Sequence, residues 1–93
     1  MIRTFASKET EKIFSGQLSK KLPHDIQRTA LRRLVVLHSA ISINDLSGNP
    51  GNRFEKLSGD RKGQYSIRIN DQWRVCFDWE GADAFNVEIG DYH

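Results

Sequence analysis

The chain has 93 residues, 38% of them hydrophobic and 28% charged, and a net charge of +2, which fits one globular domain spanning residues 1–93. No apolar run approaches the roughly 20 residues that cross a bilayer, and "MIRTFASKET" has neither the apolar segment nor the cleavage site of a signal peptide. Cys76, the one cysteine, excludes an internal disulfide, and no Cys/His spacing of a metal site is present, so a cytoplasmic domain with no metal, no cofactor and no membrane contact is expected.

"IRTF" at the start is a short strand candidate. Ser7 is placed to cap a helix with Glu9 and Glu11 in its first turn, Ile13 and Phe14 on its apolar side and Gly16 at its end. Pro23 suits the first turn of the next helix, "HDIQRTALRRLVVLHSA". There Ile26, Ala30, Leu34 and Leu37 recur at helical spacing, with Leu31 and Val35 widening the stripe. Gln27, Arg28, Arg32 and Arg33 fall on the other side. "INDLSGNPGN" reads as a loop holding a short helical turn.

From Tyr65 onward the period changes to two. Tyr65, Ile67 and Ile69 alternate with polar residues, then Trp73, Val75, Phe77 and Trp79, then Phe85, Val87 and Ile89. The segments "NDQ" and "EGAD" separate the three runs, so an antiparallel meander with one buried face is expected, covered by the helices in an α+β two-layer domain. In the wider region, Trp73, Phe77 and Trp79 read as core rather than as a stacking platform. His38 reads as a helix residue at the core's edge, Cys76 as a small sheet residue, and neither is assigned to catalysis.

Keeping apolar residues on one face sets the register. Ile69 then opposes Trp73, Ile67 opposes Val75, Tyr65 opposes Phe77, and on the polar face Arg68 opposes Arg74. A register shifted by two residues would separate the two arginines. In the next hairpin Phe77 opposes Val87, Val75 opposes Ile89, Arg74 opposes Gly90 and Tyr92 opposes Gln72. Like charges across a strand pair are unfavourable by some tenths of a kcal/mol, so the arginine pair needs a reason. One is an anion: a groove floored by Arg68, Arg74 and Gly90, edged by Gln72 and Tyr92, with open space beside the guanidinium at Gly90. Arginine suits phosphate because its planar fork donates two parallel hydrogen bonds. The other is pairing on the sheet with Glu88, Glu55 or Asp78. The charge pattern favours an anion, since residues 53–74 hold Arg53, Lys56, Arg61, Lys62, Arg68 and Arg74 against Glu55, Asp60 and Asp71.

The stretch "GNRFEKLSGDRKGQYSIRINDQWRVCF", with the terminal "VEIGDYH", resembles the HigB-type toxins of bacterial toxin–antitoxin modules in the RelE/ParE superfamily. The opening "MIRTFASKETEKIF" fits as well, so the likeness spans nearly the whole chain. It implies a small β-sheet with N-terminal helices and a toxin that enters the ribosomal A site and cuts mRNA. It also implies a helix-turn-helix, HigA-like antitoxin, through which the complex reaches operator DNA. By the same resemblance the arginine after the strand-initial tryptophan, Arg74, holds the scissile phosphate, and Asp91 and Tyr92 belong to the site. Glu55 and Ser58 stand where some members carry a histidine and a lysine, and Gln72 where an asparagine can occur.

Cutting RNA without a metal requires a base for the 2′-OH, cationic charge on the phosphorane and an acid for the 5′-oxygen. Glu55 is the candidate base, though a carboxylate is a weak one near neutrality. Arg74 is the candidate for the charge, with Arg53, Arg61, Arg68, Gln72 and Asp91 binding RNA, and Tyr92 or His93 is the candidate acid. Two other readings stand beside the nuclease: a non-catalytic toxin that obstructs its target as ParE-like relatives act on gyrase, and a basic sheet that serves only antitoxin binding.

Overall fold

Ser7 opens the first helix of the computed structural model, which describes residues 1–91. Its hydroxyl accepts from the Thr10 amide at 3.2 Å, satisfying one of the donors that a helix start leaves open, and Glu9 and Glu11 lie in the positive first turn of α1 (Lys8–Phe14). A 3-10 turn (His24–Ile26) follows Pro23 and runs into α2 (Gln27–Ser39). Ile26, Ala30, Leu34 and Leu37 are buried, as their spacing predicts. Val35 and Gln27 reverse the expectation. Val35 lies on the outer flank of α2 and is 49% exposed. Gln27 is buried because its amide is fully used: Oε1 accepts from Ser19 N at 3.0 Å, and Nε2 donates to the carbonyls of Ser19 (2.8 Å) and Leu22 (3.0 Å). The short turn expected in the next loop is α3 (Ile43–Ser47), where the Asp45 carboxylate accepts from the Ile41 and Ser42 amides.

The sheet has four strands in the order β1 (Glu55–Lys56), β2 (Tyr65–Arg68), β3 (Trp73–Glu80) and β4 (Asp83–Asp91), all neighbours antiparallel. Three were expected; β1 escapes notice because two residues carry no alternation. The β2–β3 register matches the expectation, with Tyr65 opposite Phe77, Ile67 opposite Val75 and Arg68 opposite Arg74. Between β3 and β4 the pairs Val75–Ile89 and Arg74–Gly90 also match, but the register shifts between Cys76 and Asp78. Asn86 sits there with φ +53°, the extra residue of a β-bulge. Beyond the bulge every side chain changes face, so Ala84 is in the core and Phe85, expected inside, is outside the core cluster. The "IRTF" run forms no strand of its own. Ile2 and Phe5 make isolated parallel bridges to Ala84 and Val87.

One hydrophobic cluster joins the two layers, with Ile13, Leu34, Leu37 and Leu46 from the helices meeting Ile67, Val75, Phe77, Val87 and Ile89 from the sheet. Full burial of a side chain such as Phe77 contributes about 2–3 kcal/mol. Trp73 and Trp79 pack against this cluster as core residues, and His38 lies at its edge, with Nδ1 accepting from Ile2 N at 3.2 Å. Among the described residues no helix is long and apolar enough to cross a membrane. The helices occupy one face of the sheet, which leaves the face carrying Arg68 and Arg74 to the loops on the other side.

Candidate functional site

Trp73 and Val75 point inward on β3, so Arg74 between them points to the outer face, where it is nonetheless only 6% exposed. A guanidinium so far from water needs partners. Its Nε donates to Ser66 Oγ at 2.6 Å, its Nη2 donates to the Arg53 carbonyl, and its Nη1 lies 3.7 Å from Glu55 Oε1. Three separate elements deliver those partners. Ser66 is on β2, directly opposite Cys76 and one step diagonal from Arg74. Glu55 is on β1, directly opposite Ser66.

Arg53 follows the 3-10 turn Pro50–Asn52 in a left-handed conformation, φ 45°, uncommon for a residue with a side chain. Asn52 holds that turn from inside: fully buried, it donates through Nδ2 to the Leu46 carbonyl at 3.1 Å and accepts at Oδ1 from Arg33 Nη1 at 3.0 Å. Arg33 also reaches the Gly51 carbonyl at 3.3 Å. The path from α2 through Arg33, Asn52 and the Arg53 carbonyl thus ends on Arg74.

The expected open groove is partly filled. A Cβ on Gly90 would meet Arg61 Nη2 at 3.4 Å and Cys76 Sγ at 3.7 Å, so the space at Gly90 is taken up by the Arg61 guanidinium. Arg61 belongs to the 3-10 turn Gly59–Arg61 of the "GDR" motif and donates to Gln64 Oε1 (3.1 Å) and Glu88 Oε1 (2.8 Å). The hydrogen bond to Glu88 holds the Arg61 guanidinium above its ordinary pKa. Beneath it Cys76 is buried, and burial pushes its thiol up, with the Glu88 charge acting in the same direction and Arg61 against it.

The pairing explanation of the arginine pair finds support at Glu55, one of the three acids expected. Arg74 has Glu55 near it, and Arg68 pairs with Asp71 in the hairpin turn. Glu88 accepts from Arg61 Nη2, and Asp78 accepts from Asn86 Nδ2 at 2.7 Å. The turn itself is tied by Asn70 Oδ1, which accepts from Gln72 N and Trp73 N.

Of the expected site residues, Arg53, Glu55, Arg61, Arg68 and Arg74 gather on or beside the outer sheet face. Gln72 and Asp91 meet at the end of the sheet near the β2–β3 turn, where Gln72 Nε2 donates to Asp91 Oδ2 at 3.1 Å; Asp91 lies opposite the inward-facing Trp73 rather than on the face of Arg74. Tyr92 and His93 lie outside the described residues. Sequence reasoning missed Ser66 and the Asn52–Arg33 clasp. The register that placed Arg74 also put Ser66 on the same face, a usable signal, whereas nothing in "NPGNR" tells which way the Arg53 carbonyl turns. Among the described residues no group of three or more His, Cys, Asp and Glu is placed to hold a metal. What the arrangement offers is a fixed guanidinium beside a half-exposed carboxylate, with further arginines around them.

Residues 3–93 match the family described as the RelE-like toxin of the type II toxin–antitoxin system HigB. A Vibrio cholerae protein named Toxin HigB-1 is 38% identical over 90 residues, which cover 96% of this chain and 95% of the relative. A Proteus vulgaris protein named Endoribonuclease HigB is 30% identical over the full length of both. In a solved Staphylococcus aureus YoeB–YefM complex one chain superposes with a TM-score of 0.59, covering 100% of this chain and 98% of the other at 19% identity, a likeness of fold. The chain belongs to the HigB-like family of RelE-like toxins from type II toxin–antitoxin systems.

Proposed function

We propose that this toxin is a metal-independent endoribonuclease that cuts mRNA in the ribosomal A site and so stops translation in the cytoplasm. The observation that carries the reading is Arg74, a guanidinium fixed by Ser66 and the Arg53 carbonyl with the Glu55 carboxylate 3.7 Å away. Its contacts to Ser66 and the Arg53 carbonyl are hydrogen bonds within the fold, while that to Glu55 is a longer ion pair to a carboxylate that is itself 46% exposed. A substrate phosphate takes over the position of that carboxylate at Nη1 and meets a cation that needs little reorganisation, the condition under which charge stabilisation is most effective. Glu55, released from Arg74, takes the 2′-OH proton; the oxygen attacks phosphorus and the 5′-oxygen leaves with a proton from Tyr92 or His93. The products are a 2′,3′-cyclic phosphate and a 5′-hydroxyl. Arg53, Arg61, Arg68, Gln72 and Asp91 hold the RNA on either side. The name of the Proteus vulgaris relative supports the same class of activity. A HigA-like helix-turn-helix antitoxin neutralises the toxin, and operator DNA is reached only through that complex.

A toxin that blocks its target without cutting is the second reading, favoured by the deep burial of Arg74, which gives the side chain a purely structural use as well. Expression of Arg74→Ala decides whether the arginine is needed: the nuclease reading expects growth without arrest from a protein whose circular dichroism matches wild type. Full growth arrest by that folded variant removes Arg74 from the mechanism.

A further inference from the structure

We propose that Glu88 is a positioning residue of the phosphate site: it holds Arg61 beside Arg74, so that two guanidiniums grip the scissile phosphate, and Gly90 leaves the room for the second. The proposal rests on the nuclease function proposed for Arg74 and adds to it a second cation at the reacting phosphate.

One row crosses the outer face of all four strands: Glu55 on β1, Ser66 on β2, Cys76 on β3 and Glu88 on β4. An acid stands at each end, with two small residues between. Each acid has its own arginine, Arg74 at 3.7 Å from Glu55 and Arg61 at 2.8 Å from Glu88. Cys76, in the middle, is acted on by the positive charge of both. Two guanidiniums over one small floor repel each other. The acids on the outermost strands offset part of that repulsion, and an anion arriving between the two cations answers the rest.

Arg74 has little of its fork to offer, because it is buried and its Nε and Nη2 donate to Ser66 and the Arg53 carbonyl. Arg61 is 41% exposed. Its Nη1 donates to Gln64 Oε1 at 3.1 Å and its Nη2 to Glu88 Oε1 at 2.8 Å, which fixes the plane of the fork and uses two of its five N–H donors among the described residues. The others suit the non-bridging oxygens of a phosphodiester. Gly90 stands directly opposite Arg74, and its φ lies outside the left-handed region, so the backbone does not call for glycine there. What the missing side chain provides is space, since a Cβ would meet Arg61 Nη2 at 3.4 Å. Glycine inside a strand weakens it and marks a close approach; the group that approaches here is the Arg61 guanidinium. An exposed Arg–Glu pair that served stability alone would contribute little and would require no such opening.

Cleavage of mRNA on purified ribosome complexes, followed at saturating toxin and across a concentration series, tests the assignment. The variants are Arg61→Ala, Glu88→Ala, Glu88→Gln, Gly90→Val and the double variant Arg61→Ala/Glu88→Ala, each shown by urea denaturation to be folded under the assay conditions. The rate at saturation should fall by about a hundredfold in Arg61→Ala and by about tenfold in Glu88→Ala and Gly90→Val. Glu88→Gln keeps an acceptor for Arg61 and should stay within about threefold of wild type. In the double variant Glu88→Ala should add less than about twofold to the loss from Arg61→Ala, because a residue that acts only through Arg61 then has nothing to position. A further loss of about tenfold in the double variant overturns the proposal. So does a wild-type rate in Arg61→Ala, Glu88→Ala or Gly90→Val, or a Glu88→Gln variant as slow as Glu88→Ala. A loss confined to the half-saturating toxin concentration also overturns it and assigns Arg61 to a flanking phosphate. A wild type that does not cut defeats the nuclease reading and this proposal with it, whereas variants that cut as wild type does defeat this proposal alone.

Discussion

Asn52→Ala removes a buried side chain that ties the helical layer to the turn whose following carbonyl, that of Arg53, holds Arg74. The wild-type side chain is fully buried and makes two hydrogen bonds, to the Leu46 carbonyl at 3.1 Å and from Arg33 Nη1 at 3.0 Å. A neutral bond of this kind contributes about 1 kcal/mol and one from a charged donor about 1.5–3 kcal/mol. Arg33 is partly exposed and keeps its Gly51 contact, so the lower end of the second range applies. Its Nε has no partner among the described residues already, which leaves little scope for rearrangement within the clasp. The expected loss is about 2.5 kcal/mol, and with a urea m-value near 1 kcal/mol/M for a domain of this size the midpoint falls by about 2.5 M. Urea denaturation followed by tryptophan fluorescence measures it. A midpoint within about 0.3 M of wild type, at unchanged m, would refute the reasoning and show that the left-handed Arg53 is held by its own local turn.

Two further outcomes follow from the sheet. Cys76 should react with a thiol reagent at least about a hundredfold more slowly in the native protein than in urea, since it is buried and its thiolate disfavoured. Because its folded pKa is raised, the native state keeps a proton that the unfolded chain loses, so this group's contribution is intact below about pH 8.5 and declines as pH rises toward the folded value; a Cys76→Ala variant with an unchanged alkaline stability profile would contradict that. At the bulge, Asn86→Val should destabilise the fold by about 1–2 kcal/mol, because a β-branched residue at φ +53° is strained. Thermal denaturation reads the change, and equal stability of the two proteins would mean that the bulge had moved.

Much of this architecture is legible in the chain, for physical reasons that can be named. The helix at Gln27–Ser39 and the β2–β3 register follow from periodicity, because burial of one face punishes any slip. The bulge at Asn86 does not, since one inserted residue leaves the alternation of Phe85, Val87 and Ile89 looking unbroken while turning Phe85 away from the core. Gln27 deceived because polarity alone does not say whether an amide has found three partners. In the candidate site, alternation placed Arg74 on the outer face, but its burial depends on Ser66, on a backbone carbonyl and on β1, a strand too short to announce itself. The space at Gly90 was open only so long as the path of Arg61 was unknown.

Primer extension on a defined mRNA, translated in a reconstituted system with wild type, with Arg74→Ala and without toxin, tests the central claim most directly when a ribosome-free control runs beside it. Cuts in the translated message that require both ribosomes and Arg74 are the predicted result, with cyclic phosphate at the new 3′ ends. Arrested translation over uncut mRNA would contradict the nuclease and leave Arg74 to hold the fold or grip a different target.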